Sequence, residues 1–209
     1  TSSALKRCFV TGVSPVTMDD LTSGFNIGTN YSTSPEFNEL VGFTEEDVRE
    51  MLDYYRTTVE FHHSTDELIE KMKPWYDNYC FAKQCYGRTT MYNSNMVLYF
   101  VDNYIRRGCQ MPDNMIYQEF HSDNYAIKNY IIKMQEYPHV KRCLQTLQEK
   151  GCLNEDIYNC FRFEDFKNPY YFVSTLYNWG LLTQNGQCRG SLILTIPYKI
   201  AKELLFNDL

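Results

Sequence analysis

The sequence predicts a mainly α-helical chain with a small β component, and three observations lead to this fold class. Several stretches after residue 34 combine a polar cap residue with apolar residues at helical spacing, which predicts a helical bundle. Residues 181–183 and 192–196 are short apolar runs on either side of a polar turn. They predict a C-terminal β-hairpin behind helices, as in a winged-helix unit. Residues 8–11 are apolar and β-branched, which predicts one short N-terminal strand.

The predicted N-terminal strand ends in turn signals. Gly12 breaks the strand, and the pair Ser14 and Pro15 forces the chain out of it. A second turn signal follows at residues 22–24. In open α/β sheets, ligands bind at the edge where the strands end. From these residues alone a pair of ordinary surface turns is the favoured interpretation, and a ligand-facing loop is the alternative.

Two helices are predicted from residue pairs at capping-box spacing, in which a Ser or Thr stands three residues before an acidic residue. Each pair precedes an apolar stripe typical of a buried helix face. A short helix is expected before them, with Pro35 at its first position. Pro74 is predicted to end the second capped helix, because a proline cannot continue the hydrogen-bond ladder. The two pairs are Thr44 with Asp47 and Ser64 with Glu67.

An aromatic stretch, WYDNYCF, follows at residues 75–81. Within it, Asn78 is a residue type that tolerates a positive φ. A further helix is predicted to begin at Asn93 or Ser94, to run to about residue 107 and to close at Gly108.

The C-terminal half is predicted to be the winged-helix-like unit. Asn185 and Gly186 are its expected hairpin turn, because this dipeptide favours the positive φ values of a tight turn. Residues 154 to about 163 are expected to form either a short helix or an extended segment, and within them residues 161–163 alternate like an edge strand. The helices of the winged-helix-like unit are expected at about residues 124–135, 139–150, 169–179 and 198–206.

The charge balance argues against a broad surface that follows phosphates. The chain has 209 residues with 26 acidic and 20 basic side chains, for a net charge of −6. The predicted recognition helix at residues 169–179 contains neither Lys nor Arg, although direct base readout depends heavily on them. A winged-helix nucleic-acid reader is therefore an alternative that is not favoured. A protein-interaction module is the other alternative.

The eight cysteines lack CxxC spacing and complete no zinc-knuckle pattern. We interpret them as buried apolar side chains in a reducing, cytoplasmic compartment, and no metal site is predicted. No run of 18 apolar residues occurs, so no membrane span is predicted. No Ser-His-Asp, Cys-His or paired-carboxylate arrangement is recognisable in the sequence, so no catalytic residue is predicted.

Four motifs, in order along the chain, resemble the AAA-ATPase-like family of bacterial (Bacteroidetes-type) proteins, which often carry a C-terminal nuclease-like domain. The family's phosphate-binding loop precedes the matched region, and this chain contains no GxxxxGK[ST]. The chain thus resembles the second half of such an ATPase domain. The motifs are FVTGVSPVTMDDLTSGFNI at residues 9–27, GFTEE at 42–46, WYDNYCF with MYN at 75–81 and 91–93, and GLLT with LTIP at 180–183 and 194–197.

The resemblance implies a division into three segments. Residues 1–34 correspond to the end of a truncated α/β core, 35–115 to a helical, lid-like subdomain and 116–209 to the winged-helix-like subdomain. ATP and Mg²⁺ are implied as cofactors of the full-length family, and none is expected for this chain by itself. The implied partners are the missing N-terminal ATPase half and a C-terminal nuclease-like domain. A homo-oligomer is also left open, because an unpaired strand near residues 8–13 is a template for pairing between copies.

The resemblance also implies the roles of individual residues. Thr11, Gly12 and Ser14 would sense the γ-phosphate, and the lid would couple nucleotide state to movement of an attached effector. Two positions depart from the family pattern, since Asn78 stands where Gly is usual and Cys80 where Arg is usual. The remaining motif positions have no assigned role, and they are Thr22, Ser23, Gly24, Asn26, Trp75, Tyr76, Asp77, Tyr79, Tyr92 and Asn93.

Overall fold

The structure, a computed structural model, describes residues 29–118, 120, 124–158 and 163–206. Within these ranges it contains seven α-helices, three short 3₁₀ helices and one three-stranded antiparallel sheet. The predicted fold class, mainly α with a small β component, is confirmed at this level. The predicted strand at residues 8–11 lies outside the described residues.

The described elements fall into two groups along the chain. The first three helices, which we call the helical unit, are α1 (Glu45–Arg56), α2 (Thr65–Tyr76) and α3 (Ser94–Arg106). The rest, which we call the C-terminal unit, comprises α4 (Tyr125–Met134), α5 (Pro138–Lys150), β1 (Cys152–Asn154), α6 (Phe172–Asn178), β2 (Thr183–Cys188), β3 (Ser191–Thr195) and α7 (Lys199–Phe206). The 3₁₀ helices are Pro35–Phe37, Phe163–Lys167 and Pro169–Tyr171.

Both predicted capping boxes are present. The Thr44 hydroxyl accepts a hydrogen bond from the Asp47 N–H at 3.1 Å, and the Ser64 hydroxyl accepts one from the Glu67 N–H at 3.2 Å. Each acidic side chain in turn accepts from the N–H of its cap residue at 2.7 Å. These bonds satisfy N–H groups that the start of a helix leaves unpaired, so α1 and α2 begin where the sequence predicts.

Pro74 does not end α2, and that prediction was wrong. The helix continues through Pro74 to Tyr76, and Asp77 is its C-cap. Because a proline has no N–H, α2 loses one hydrogen bond to the carbonyl four residues earlier. The burial of Tyr76, whose hydroxyl donates to the Met115 C=O at 2.6 Å, offsets this loss.

The sheet has β3 at its centre, paired antiparallel with β1 on one side and β2 on the other. Leu153 of β1 lies opposite Leu194 of β3, and both side chains are buried. The sequence did not predict β1, because three residues are too few to show a period. The edge strand predicted at residues 161–163 was wrong for Phe163, which begins a 3₁₀ helix, while residues 161 and 162 are not among those described.

The turn between β2 and β3 is formed by Arg189 and Gly190, so the prediction of Asn185 and Gly186 was wrong. Arg189 has φ +50° and Gly190 has φ +96°. A two-residue hairpin turn needs positive φ values at both positions to match the twist of its strands. Gly186, with φ +87°, lies inside β2, where the pairing register with β3 shifts. The Asn-Gly pair therefore forms a β-bulge rather than the turn.

One hydrophobic core extends across both units. It contains the fully buried rings of Tyr76 and Phe100 from the helical unit and of Phe172 from the C-terminal unit. The last helix, α7, packs against α2 of one unit and α4 of the other. The two units are thus joined by shared apolar packing.

Every helix in the described ranges is too short or too polar to cross a membrane.

Candidate functional site

The motif stretches that the structure describes lie far apart in the sequence and meet at one place, which we call the motif junction. The first motif, at residues 9–27, lies outside the described residues, and with it Thr11, Gly12, Ser14, Thr22, Ser23, Gly24 and Asn26. The stretches that form the motif junction are residues 42–46, 75–81, 91–93, 180–183 and 194–197.

Backbone hydrogen bonds join the stretches of the helical unit. Phe43 and Tyr92 each donate an N–H to the other's C=O, at 3.1 Å and 2.7 Å. Tyr79 and Met91 are paired in the same way, at 3.3 Å and 2.8 Å. These short antiparallel bridges fix residues 91–93 between the two other stretches.

Gly42 allows residues 42–46 to approach residues 91–93 this closely. Its φ is +99°, and a Cβ at this position would lie 2.9 Å from the Tyr92 carbonyl oxygen and 3.1 Å from the Met91 Cβ. Both the backbone conformation and the available space therefore require a glycine.

We expect Gly42→Ala to lower the free energy of unfolding by about 2–4 kcal/mol, because the change adds backbone strain and a close contact. The matched control is Gly87→Ala, since Gly87 also has a positive φ of +73° but no atom within 4 Å of its added Cβ. The control should lose only about 1–2 kcal/mol. Urea unfolding measures both variants, and equal losses would mean that the close approach at Gly42 contributes nothing.

The Thr183 side chain joins the C-terminal unit to residues 75–81. Its hydroxyl accepts a hydrogen bond from the Cys80 N–H at 2.7 Å and donates one to the Cys80 C=O at 2.8 Å. Both residues are fully buried. One hydroxyl therefore satisfies the backbone donor and the backbone acceptor of a residue that water does not reach.

Asn38 holds the end of the same stretch. Its Oδ1 accepts from the Phe81 N–H at 3.0 Å and from the Ala82 N–H at 3.2 Å, and its Nδ2 donates to the Thr89 C=O at 3.3 Å. Only 1% of Asn38 is exposed. The side chain thus acts as a buried bridge between residues 81–82 and residue 89.

Two tyrosines and a glutamine make further hydrogen bonds at the motif junction. The Tyr177 hydroxyl donates to the Phe81 C=O at 3.3 Å and accepts from Gln184 Nε2 at 3.0 Å. The Tyr79 hydroxyl donates to the Tyr177 C=O at 3.4 Å. The bond from Gln184 is buried and the two other bonds are partly buried, so the loss of a partner would leave a polar group with little access to water.

Asn78 connects the last stretch to the motif junction. Its φ is +91°, which confirms that this position uses the positive φ that an asparagine tolerates. Its Nδ2 donates to the Pro197 C=O at 3.2 Å. Its N–H donates to the buried carboxylate of Asp77, which lies 3.9 Å from the Lys73 ammonium.

The predicted motif residues of the helical unit act mainly in packing and capping. Trp75 is half-buried and has the Lys199 ammonium 5.1 Å from its ring centre. Asn93 caps α3 by accepting from the Met96 N–H at 3.2 Å. Tyr92 is buried, and its hydroxyl has no hydrogen-bond partner among the described residues.

The thiol and phenol groups buried in and beside the motif junction are held in their neutral forms. Burial raises the pKa of the Cys80 thiol to about 11 and the pKa of the Tyr177 hydroxyl to about 12. Burial also raises the pKa of Tyr79 well above its ordinary value. A neutral, buried thiol is neither a nucleophile nor a charged contact for phosphate. The arrangement can therefore hold two units in a fixed position, and we assign no acid–base or nucleophilic role to its described residues.

A small cleft borders the motif junction. It has a volume of about 180 Å³ and is lined by Asn93, Gly180 and side chains of α4 and α7. Pockets that bind small molecules usually have volumes of about 300–1,000 Å³. The cleft, as the described residues line it, is therefore too small to enclose a nucleotide.

The predicted recognition helix at residues 169–179 forms a 3₁₀ helix over Pro169–Tyr171 and then α6, and α6 is buried. Six of the seven residues of α6 are buried, and Ser174 and Thr175 are only 1% and 0% exposed. A helix packed in this way cannot place its side chains against base edges in a groove.

The sequence does not identify several of the residues that hold the motif junction together. Asn38 directly follows a short helical stretch. No pattern in the neighbouring residues marks Asn38 as buried, so the sequence contains no signal that identifies this residue. Tyr177 lies on the predicted helix at residues 169–179, and its position on the apolar face is the one signal that could have been used. In the sequence, Thr183 is marked only as the last residue of the GLLT motif.

Comparisons of the chain with family models, with curated proteins and with solved structures find no match. The functional interpretation therefore depends on the geometry of the motif junction and on the resemblance of its motifs.

Proposed function

We propose that this chain is the sensing and lid portion of an AAA-ATPase-like protein. In this proposal it couples nucleotide state to the movement of an attached effector and does not catalyse hydrolysis by itself. The observation that carries the proposal is the motif junction. The described stretches that resemble the family are not scattered over the surface but form one largely buried, hydrogen-bonded connection between the helical unit and the C-terminal unit.

A connection of this kind suits a mechanical role. A lid that reports hydrolysis by moving must transmit displacement without deforming, and a network of buried hydrogen bonds resists deformation. The Thr183 and Tyr177 bonds tie residues 75–81 to the sheet and to α6, and the Asn38 bond ties the end of the same stretch to the first 3₁₀ helix. Movement of the helical unit would therefore carry the C-terminal unit with it.

The two ends of the chain take different roles in the proposal. Thr11, Gly12 and Ser14 would contact the γ-phosphate of ATP, while the P-loop and the Mg²⁺-binding acid would come from an N-terminal ATPase half. The C-terminal unit would hold the effector. Its sheet order β1-β3-β2, with helices before the hairpin, supports the winged-helix-like description. Nucleic-acid reading through α6 is not proposed, because that helix is buried.

We expect no ATP hydrolysis by this chain alone and no micromolar affinity for ATP, because the chain has no P-loop lysine motif. Phosphate release and calorimetry with Mg²⁺ and ATP measure the two quantities. Micromolar binding by the chain alone would mean that a phosphate site is present within it, contrary to the proposal.

The upstream part of the reading frame is the second test. A GxxxxGK[ST] motif after a predicted strand, and ATP hydrolysis by the longer product, are the expected results. An upstream sequence without a P-loop would contradict the assignment to this family.

A further inference from the structure

Three side chains of metal-binding type lie together in the C-terminal unit, and the proposed function does not use them. They are His139, Cys143 and Glu155, and one ligand atom from each lies within 4.8 Å of the other two. His139 Nε2 and Cys143 Sγ are 3.8 Å apart. Among the described residues, this is the one group of three or more His, Cys, Asp or Glu side chains that meets this spacing.

Local structure explains why the three residues meet. His139 and Cys143 are four residues apart on α5, so their side chains lie on one face of the helix. From Cys143 to Gly151 the helix advances about 12 Å. Gly151, with φ +70°, reverses the chain, and an extended strand of four residues returns about 13 Å. Glu155 is thus brought back level with Cys143.

The backbone on both sides of this reversal is fixed by hydrogen bonds. The Thr195 hydroxyl donates to the Gly151 C=O at 2.8 Å, and the Glu155 N–H donates to the Leu192 C=O at 3.1 Å. Between them, β1 is paired with β3. The carboxylate therefore extends from a strand end whose position is set by the sheet, and the other two ligands extend from a helix that packs on that strand.

The chemical types of the three side chains determine which metal ion they can bind. Imidazole and thiolate bind zinc well, whereas Mg²⁺ and Ca²⁺ prefer sites made of oxygen ligands. With a Zn–S distance of about 2.3 Å and a Zn–N distance of about 2.0–2.1 Å, tetrahedral geometry places the two atoms about 3.6 Å apart. The separation of 3.8 Å in the structure is close to this value. Cys143 is buried, and His139 and Glu155 are half-buried, which leaves one side open to solvent.

We propose that His139, Cys143 and Glu155 form a zinc site with three protein ligands and one position open to water. Binding would release the thiol proton to solvent, since a metal-bound cysteine is a thiolate. A bound zinc ion would link α5 to the residue that follows β1. No metal site is predicted from the sequence because the cysteines show no CxxC spacing, and Glu155 lies beyond the helix that carries the other two ligands. This inference stands apart from the proposed function, and either can fail without the other.

Cobalt titration tests the site, because a thiolate bound to Co²⁺ gives a charge-transfer absorption. The full chain, kept reduced and stripped of metal, is titrated with Co²⁺ and then with Zn²⁺. We expect one equivalent of Co²⁺ to bind with this absorption, and Zn²⁺ to displace it. Cys143→Ser should abolish the absorption. Cys152→Ser, which removes the nearby cysteine of β1, should leave it unchanged.

A second variant keeps the test decisive if Cys143→Ser does not fold. His139→Gln retains every thiol and should bind Co²⁺ at least about tenfold more weakly, while circular dichroism checks its fold without metal. Three results would overturn the proposal. The unmodified chain could show no thiolate–cobalt absorption. The absorption could persist in a folded Cys143→Ser variant, or His139→Gln could bind cobalt as tightly as the unmodified chain.

Discussion

Thr183→Val is expected to lower the free energy of unfolding by about 2–4 kcal/mol. Valine has nearly the same shape as threonine but lacks the hydroxyl, so the change leaves both the N–H and the C=O of Cys80 without these partners in a fully buried place. Urea unfolding followed by circular dichroism measures the loss.

The matched control for this change is Thr146→Val on α5. The Thr146 hydroxyl donates only to the Arg142 C=O of its own helix. Its loss should alter stability by no more than about 0.5 kcal/mol. A similar small effect for Thr183→Val would mean that the hydroxyl bridge between the units does not stabilise the fold.

Asn38→Ala is the second change with a large expected effect, a loss of about 3–5 kcal/mol. The substitution removes one side chain that pairs with the N–H groups of Phe81 and Ala82 and with the C=O of Thr89. It also leaves a small void in a buried position, which adds to the loss. Denaturant unfolding is again the measurement.

Asn30→Ala provides the control for Asn38→Ala. The Asn30 side chain accepts a single hydrogen bond, from the Ser32 N–H, at an exposed position. Its replacement should change stability by no more than about 0.5 kcal/mol. If the two asparagine variants lost the same small amount, the buried bridge at Asn38 would not be holding residues 81–82.

The helices of this chain could be predicted from its sequence because their signals are local. The capping boxes at Thr44 and Ser64 and the closing glycine at Gly151 each act within one turn of the helix that they limit. The wrong predictions fall where contacts between residues far apart in the sequence determine the local structure. Pro74 stays inside α2 because the core holds Tyr76, and strand pairing assigns the turn to Arg189 and Gly190.

The candidate site was predictable only in part for the same reason. The motif stretches could be recognised one by one, but their meeting at one junction depends on contacts across the chain, such as that between Cys80 and Thr183. Asn38 carries no local sign of burial. The predicted sensing residues Thr11 and Ser14 lie outside the described residues, so their role stays a prediction.

The central claim is that the motif junction joins the helical unit and the C-terminal unit into one mechanical body. Urea unfolding of two single-tryptophan variants tests it most directly, because the chain has two tryptophans and each reports on a different unit. Trp75 lies on α2, and Trp179 follows α6 and packs against Tyr130 of α4. Trp179→Phe and Trp75→Phe leave one reporter each.

We predict that the two reporters unfold in a single transition with the same free energy of unfolding. Adding Thr183→Val should lower both values by the same amount, since a change at the motif junction destabilises the whole body. Separate transitions for the two tryptophans, or a Thr183→Val effect seen only by Trp179, would contradict the claim.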